Sequence, residues 1–394
     1  MAEPHDSLLG RLIEALDGAP ASSLLDISLL HLRERLGVRG LWLYVADYSE
    51  ETLRWVPSSA GSPPPADELS IQGTIAGRVY FTRQMVETDT DEGQMLWVPV
   101  FRRSDSVGVL ALNLKRPDPG VTALAPAIAL IVGGAVLGAR RHSDVFELAR
   151  GAQHLRLAAA MQWDLLPLPT YKDPMVEMAG RVEPAYDIGG DAFDFAANEE
   201  EMELAVFDAM GHGLKATLLT TLAVGAYRYG RRRQSELTGV AGDIDEAVRS
   251  HVDGEAFVTG HLCRLHTETG LLSWLNAGHP VPLMIRDHTA SPLGEAVPML
   301  PFGLEGGPVD QVEVGLQPDD IVIFYSDGVI EARTDGGDEF GMERFLDMAS
   351  RHGDTEVGLI VLVRQILEAV KEHARGVLRD DATLVALRWG GSGG

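Results

Sequence analysis

AVFDAMGHGLKA (residues 205–216) runs from a small apolar stretch into an acid, then into a histidine flanked by two glycines. A carboxylate where a buried strand stops, followed by a helical pattern, fits a tight turn, a phosphate cradle or a metal site. The rest of the chain has to decide. Three further places set acids against apolar stretches: DIGGDAFD supplies Asp187, Asp191 and Asp194, IVIFYSDGVIEA supplies Asp327, and LRDDATLVALR supplies Asp380 and Asp381. Each acid is held near the edge of a core, where an unpaired charge is expensive. Several strands delivering acids to one sheet edge create repulsion that a cation between them would relieve. Oxygen-only ligands of this kind select Mg²⁺ or Mn²⁺ over zinc. Gly189-Gly190 before Asp191 and Gly328 after Asp327 let the backbone approach such an ion. Alone, an Asp-Gly pair is a turn and His212 an exposed loop residue. All four places in one chain favour the metal reading.

The chain of 394 residues exceeds one typical core and suggests two or three domains. Its net charge of −25 argues against a nucleic-acid partner, which clustered Lys and Arg would have to hold. Arg231-Arg232-Arg233 reads instead as favourable charge at a helix C-terminus. Cys263 is the single cysteine, which rules out an intrachain disulfide or a cysteine-based zinc site and fits a reducing compartment. The start, MAEPHDSLLGRL, lacks the features of a signal peptide. Residues 121–139 carry no charge and are long enough to span a membrane, but they are rich in Ala and Gly and contain Pro126. A helix buried against the first domain is the expectation, with a cytoplasmic location and no membrane contact.

Leu8, Leu9, Leu12, Ile13 and Leu16 repeat with helical spacing, as do Leu25, Leu29, Leu32 and Leu36. LWLYVAD (41–47) and TLRWV (52–56) then read as strands, and MLWVPV (95–100) and VGVLALNL (107–114) as a hairpin. This is a small α+β domain. With GTIAGRVYFTRQMVETD (73–89), WVPV (97–100) and SVGVLAL (106–112) it resembles a GAF domain, a small-molecule sensor module, over residues 1–140. That resemblance implies a small-molecule ligand or partner protein at this domain. A cysteine-linked bilin is excluded, because Cys263 lies outside the region.

SDVFELARGAQHLRLAAAMQWDLLP (143–167) places Val145, Leu148, Ala152, Leu155, Ala159 and Gln162 three and four apart until Pro167. The seam either packs on its own domains or pairs two copies as a parallel dimer helix. The chain thus divides into 1–140, a helical, coiled-coil-like linker at 141–167, and 168–394. In the last part VEMAGRVEPA, MELAVF, FVTGHLCRLH, GLLSWLN, DQVEVGL, IVIFYS and TLVALR read as strands, and 214–232, 244–252, 342–350 and 355–374 as helices. Many strands with interleaved paired helices, without regular β-α-β alternation, suggest a sheet-rich α/β or α+β sandwich.

GGDAFDF, DAMGHG, NAGHPVPLM, LPFGL, FYSDGVIEA, EFG and DDATLVAL follow one another as in the PPM-type metal-dependent serine/threonine phosphatases. More narrowly the chain resembles their stage II sporulation protein E branch, which serves bacterial sigma-factor control. AAAMQWDLLPLP (158–169) is like that family's leading helix with its Q-x-x-L-L-P ending. The resemblance implies a β-sandwich flanked by helix pairs and a centre of two Mn²⁺ or Mg²⁺ ions. Asp191, Asp208, the Ala209 carbonyl, Asp327 and Asp380 would be the ligands, and a bridging water would attack phosphorus in line. Asp187, Asp194, Gly190, Gly211, His212, Gly328 and Asp381 would surround them. The implied substrate is a phosphoserine or phosphothreonine protein, specifically an anti-sigma-factor antagonist.

Where eukaryotic relatives carry their proposed general-acid histidine, this chain has Met210, so His212 is assigned no such role. The phosphate-holding arginine has no equivalent beyond Arg181, a candidate by position alone. Asn276 and His279 read as shaping a turn before Pro280. GGDAF also resembles the GGDEF signature of diguanylate cyclases, but Ala192 stands where that family has an acid. A catalytically silent or conditionally active scaffold is the other alternative, although none of the four anchor acids is missing.

Overall fold

The computed structural model describes residues 5–59, 63–90, 93–102, 105–116, 118–151, 155–183, 189–251, 256–294, 298–304, 309–352 and 358–391. They fall into two compact units, Met1–His154 and Leu155–Gly394.

In the first unit α1 (His5–Asp17) and α2 (Leu24–Leu36) precede β1 (Val38–Ala46), β2 (Thr52–Trp55) and β3 (Glu68–Ser70). Then come α3 (Ile75–Thr82), β4 (Val86–Thr90), β5 (Gly93–Arg102), β6 (Asp105–Leu114), α4 (Pro119–Ala139) and α5 (Val145–Arg150). The strands form one antiparallel sheet in the order β3-β2-β1-β6-β5-β4. Both of its faces are covered. Leu41, Leu43 and Val45 of β1 join a core with α1, α2 and α4, while Trp42, Tyr44 and Ala46 join another with α3. This double burial is why 41–47 shows no polar alternation. The apolar 121–139 stretch is long enough to cross a membrane. Here its Val121, Ala125, Ile128, Val132 and Val136 line the first unit's core, as expected.

The heptad seam is not one helix. α5 ends at Gly151, and α6 (Leu157–Leu165) starts after Arg156, whose backbone is extended (φ −67°, ψ 153°). Phe146 and Ala149 are buried within the first unit, and Ala158, Ala159 and Gln162 within the second. The two ends of the stripe are spent on separate cores, so the boundary falls after 154 and α6 belongs to the second unit.

That unit continues with β7 (Thr170–Lys172), β8 (Val176–Glu183), β9 (Asp191–Ala197), β10 (Glu201–Ala209), α7 (Leu214–Arg232) and α8 (Leu237–Arg249). β11 (Val258–His266), β12 (Leu271–Ala277), β13 (Leu283–Arg286), β14 (Thr289–Pro292), β15 (Val312–Gly315) and β16 (Ile321–Tyr325) follow. The unit closes with α9 (Asp327–Ile330), α10 (Met342–His352), α11 (Leu359–His373) and β17 (Ala382–Trp389). Two sheets result, β15-β12-β11-β10-β9 and β14-β13-β16-β17-β8-β7. Their inner faces share one core of Met178, Phe193, Leu204, Val206, Cys263, Trp274, Phe324 and Val385. Helices α7 and α8 cover the outside of the first sheet, and α10 and α11 the outside of the second. It is the expected sandwich flanked by helix pairs.

α8 starts at Leu237, earlier than the sequence pattern suggests, because Gly239 and Gly242 weaken the helical signal that Leu237, Val240, Ile244 and Val248 bury. β9 is hidden in the sequence by Asp191 and Asp194, and β13 by its length. Asp194 faces α7, where Arg228 Nη2 meets Oδ1 at 2.8 Å and Arg231 Nη1 meets Oδ2 at 3.1 Å. This buried ion pair fixes α7 against β9. Removing one partner of such a pair leaves uncompensated buried charge. Asp194→Ala should therefore lower the unfolding free energy by about 3 kcal/mol in chemical denaturation of the full chain. A loss below about 1 kcal/mol would place the pair among surface bridges of little worth.

Candidate metal centre

Strand alternation decides which side chains meet. Met202, Leu204 and Val206 of β10 point between the sheets, as do Phe193 of β9, Val322 and Phe324 of β16, and Val385 and Leu387 of β17. Two residues further along each ladder, at the same end of the sandwich, stand Asp208, Asp191, Ser326 and Thr383. Four apolar ladders thus end on polar groups. Asp191 and Asp208 are direct cross-strand partners. Across the gap between the sheets, the Thr383 hydroxyl donates to Asp191 Oδ2 at 2.6 Å. The Ser326 hydroxyl accepts the Thr383 N–H at 2.9 Å and donates to the Asp381 carbonyl at 3.3 Å. Asp381 Oδ2 in turn accepts the Asp191 N–H at 3.1 Å.

Asp191 and Asp381 are each only 2% exposed. Burial drives the Asp191 carboxyl well above the ordinary carboxylate range, and the charges of Asp208 and Asp381 add to it. Asp208 is pushed up to about 7, by burial first and then by Asp327 and Asp380. Burial likewise lifts Asp381 to about 7, against hydrogen bonds from the Asp191 backbone and Gln162. Asp380 is exposed, and it too is raised, by partial burial and by Asp327, while His212 pulls it down. All five acids and His212 therefore act on one field. Among the described residues, however, no three His, Cys, Asp or Glu side chains stand close enough to enclose one ion as placed.

The donor set still fits a hard cation. Asp381 Oδ1 is buried without a hydrogen-bond partner. A Cβ on Gly190 would fill the space beside the Ala209 and Gly211 carbonyls, 3.5 and 3.4 Å away. One on Gly328 would lie 2.0 Å from the Asp381 carbonyl, so only glycine admits this approach of α9 to β17. Gly211 (φ +89°) and Gly213 (φ +75°) turn the chain from β10 into α7 and leave His212 on the surface.

Two expected residues are absent from the cluster. Asp194 points to the helix-covered face, one step out of alternation with Asp191, and is held by Arg228 and Arg231. Arg181 lies on the outer face of its sheet with Ala179, its Nη2 2.6 Å from Glu183 Oε1, and so does not reach the acids. Asp187 lies outside the described residues. Asn276 shapes its turn as expected, exchanging hydrogen bonds with the His279 N–H (2.7 Å) and carbonyl (2.9 Å). Sequence reasoning missed Thr383 and Ser326, which look like ordinary strand residues. It also placed Gln162 in an apolar seam, although the Q-x-x-L-L-P resemblance contained it.

Residues 198–390 match the family model described as Stage II sporulation protein E (SpoIIE). Over 238 residues the chain is 22% identical to phosphoserine phosphatase RsbU of Bacillus subtilis (strain 168), covering 59% of this chain and 69% of that protein. Over 277 residues it is 23% identical to protein IcfG of Synechocystis sp., covering 61% of this chain but only 41% of that protein. The solved SiaA-PP2C domain of Pseudomonas aeruginosa shares the fold, with a TM-score of 0.50 and 20% identity over 59% of this chain and 94% of that one.

Two outcomes follow from the site's electrostatics. Asp208 and Asp381 hold their protons up to about 7 in the folded chain, against an ordinary value of 3.8. The native state therefore binds more protons than the unfolded one between these values, and stability falls as pH rises through the window. Scanning calorimetry in chelator should show the second unit melting lower at about pH 8 than at about pH 5, and Mn²⁺ should raise its melting temperature more at the higher pH. A Mn²⁺ effect independent of pH would contradict this. Gly328→Ala, which displaces the Asp381 backbone, should weaken Mn²⁺ binding at least about tenfold by titration calorimetry.

Proposed function

Since its C-terminal unit is a SpoIIE-type, PP2C-like phosphatase domain, we propose that this protein removes phosphate from phosphoserine or phosphothreonine in a protein, using Mn²⁺ or Mg²⁺. The observation that carries the proposal is the burial of Asp191 and Asp381 beside Asp208, where mutual repulsion calls for a cation. Asp191, Asp208, the Ala209 carbonyl, Asp327 and Asp380 would hold two ions. When bound, these ions supply Lewis acidity and water of lowered pKa. The chain's own part is to hold the carboxylates in place and oriented: Thr383 fixes Asp191, and Ser326 ties the start of β17 to the end of β16. Asp380 is exposed and Asp327 half-buried, so a phosphate ester would approach beside them. No arginine is assigned to the phosphate.

The proposed substrate is an anti-sigma-factor antagonist, the class implied by resemblance to the SpoIIE branch. The first unit is proposed as a GAF-like sensor for a small molecule or partner protein. Its six-stranded antiparallel sheet with helices on both faces supports that reading. A cytoplasmic homodimer completes the proposal. The alternative reading is a catalytically silent or conditionally active sensor or scaffold in the same signalling pathway.

Manganese-dependent hydrolysis of p-nitrophenyl phosphate by the full chain and by Asp327→Asn tests the site. The substitution should reduce turnover at least roughly 100-fold, since even supporting partners of metal ligands contribute tenfold or more. Equal rates would remove the proposed centre, and absence of turnover in both proteins would favour the silent-scaffold reading.

A further inference from the structure

Gln162 occupies an unusual position for a residue on the helix that opens the second unit. It lies on α6, is 2% exposed, and its Nε2 donates to the Asp191 carbonyl at 2.7 Å and to Asp381 Oδ2 at 3.1 Å. Both amide protons are therefore committed to two buried acids of the cluster. Those acids also bind each other, the Asp191 N–H donating to the same Asp381 oxygen at 3.1 Å. Asp191 is gripped in three directions: its carbonyl by Gln162, its N–H by Asp381, and its carboxylate by Thr383 at 2.6 Å. Asp381 has Oδ2 fully engaged, and its Oδ1 is left buried and without a partner.

We infer that Gln162 is a positioning residue of the metal centre, which holds Asp381 against the Asp191 backbone so that Asp381 Oδ1 and the Asp191 carboxylate stay oriented for a cation. The inference rests on the metal-dependent reading proposed above. The chemistry of the amide is what the place requires. Leucine has the volume but no donor, and would leave a carbonyl and a carboxylate oxygen without this donor. Glutamate has the shape but presents an acceptor, which would set a further carboxylate against Asp381. Supporting hydrogen bonds of this type orient metal ligands, and their loss typically lowers metal affinity 10–100-fold.

The test is a calorimetric titration of Mn²⁺ into the full, metal-free chain for wild type, Gln162→Leu, Asp381→Asn and the double variant, with circular dichroism confirming the fold of each. Gln162→Leu should weaken Mn²⁺ binding by roughly 10–100-fold. In the double variant the leucine should add less than about twofold to the effect of Asp381→Asn, since the two residues act as one unit. Should the leucine protein fail to fold, Gln162→Glu is the second variant, and the same loss is expected. A folded Gln162 variant binding Mn²⁺ within about twofold of wild type would overturn the inference, as would fully additive losses, which mark a role in packing alone. A wild-type chain that binds no Mn²⁺ would overturn the metal-dependent reading itself, a result distinct from either.

Discussion

Carboxylates of like sign repel at close quarters, and the second unit seats Asp191 and Asp208 as direct partners on adjacent strands. Two such charges about 4 Å apart repel by about 4 kcal/mol in a medium of effective dielectric 20. A net hydrogen bond contributes about 1 kcal/mol. The bond from Thr383 therefore cannot by itself hold Asp191 ionised beside Asp208. The sheet ladders hold the backbone in register, and relief comes from a proton or from a cation. The upward displacement of Asp191, Asp208, Asp380 and Asp381 is the protonated solution. A divalent ion is the other.

Repulsion among these buried acids accounts for much of the surrounding construction. The inner faces of the two sheets are apolar until the last residue of each ladder, so the acids sit over a dry floor of Phe193, Val206, Phe324 and Val385. Such a floor strengthens every charge above it. It also explains why the groups that touch the buried acids are small donors or amides, namely Thr383, Ser326 and Gln162. A basic side chain among them would neutralise the acids directly and remove their mutual repulsion. The arginines of this region are turned elsewhere: Arg181 to Glu183, and Arg228 and Arg231 to Asp194.

Much of this was legible in the letters. Apolar runs bounded by acids marked β10, β16 and β17, and their shared acidic ends foretold that Asp208, Asp327 and Asp380–Asp381 would act on one another. The sequence misled where one residue type serves two faces. Asp191 and Asp194 look alike in DIGGDAFD, yet period-two alternation sends the first into the centre and the second to a structural ion pair. The seam from Val145 to Gln162 has helical spacing throughout, but Gly151 and the extended Arg156 divide it, and its ends bury in different cores. Periodicity reports burial and does not say which core receives it. Thr383 and Ser326 could not be found by composition, since their importance arises only when two sheets are stacked.

Cys263 lies 1% exposed in the layer between the sheets, and burial pushes its thiol up, away from the reactive thiolate form. Within these 394 residues it is the only sulfhydryl. Disulfide exchange and thiol-directed reagents thus find no exposed thiol in these folded residues. A surface cysteine introduced for a fluorescent or paramagnetic label would for the same reason report without background.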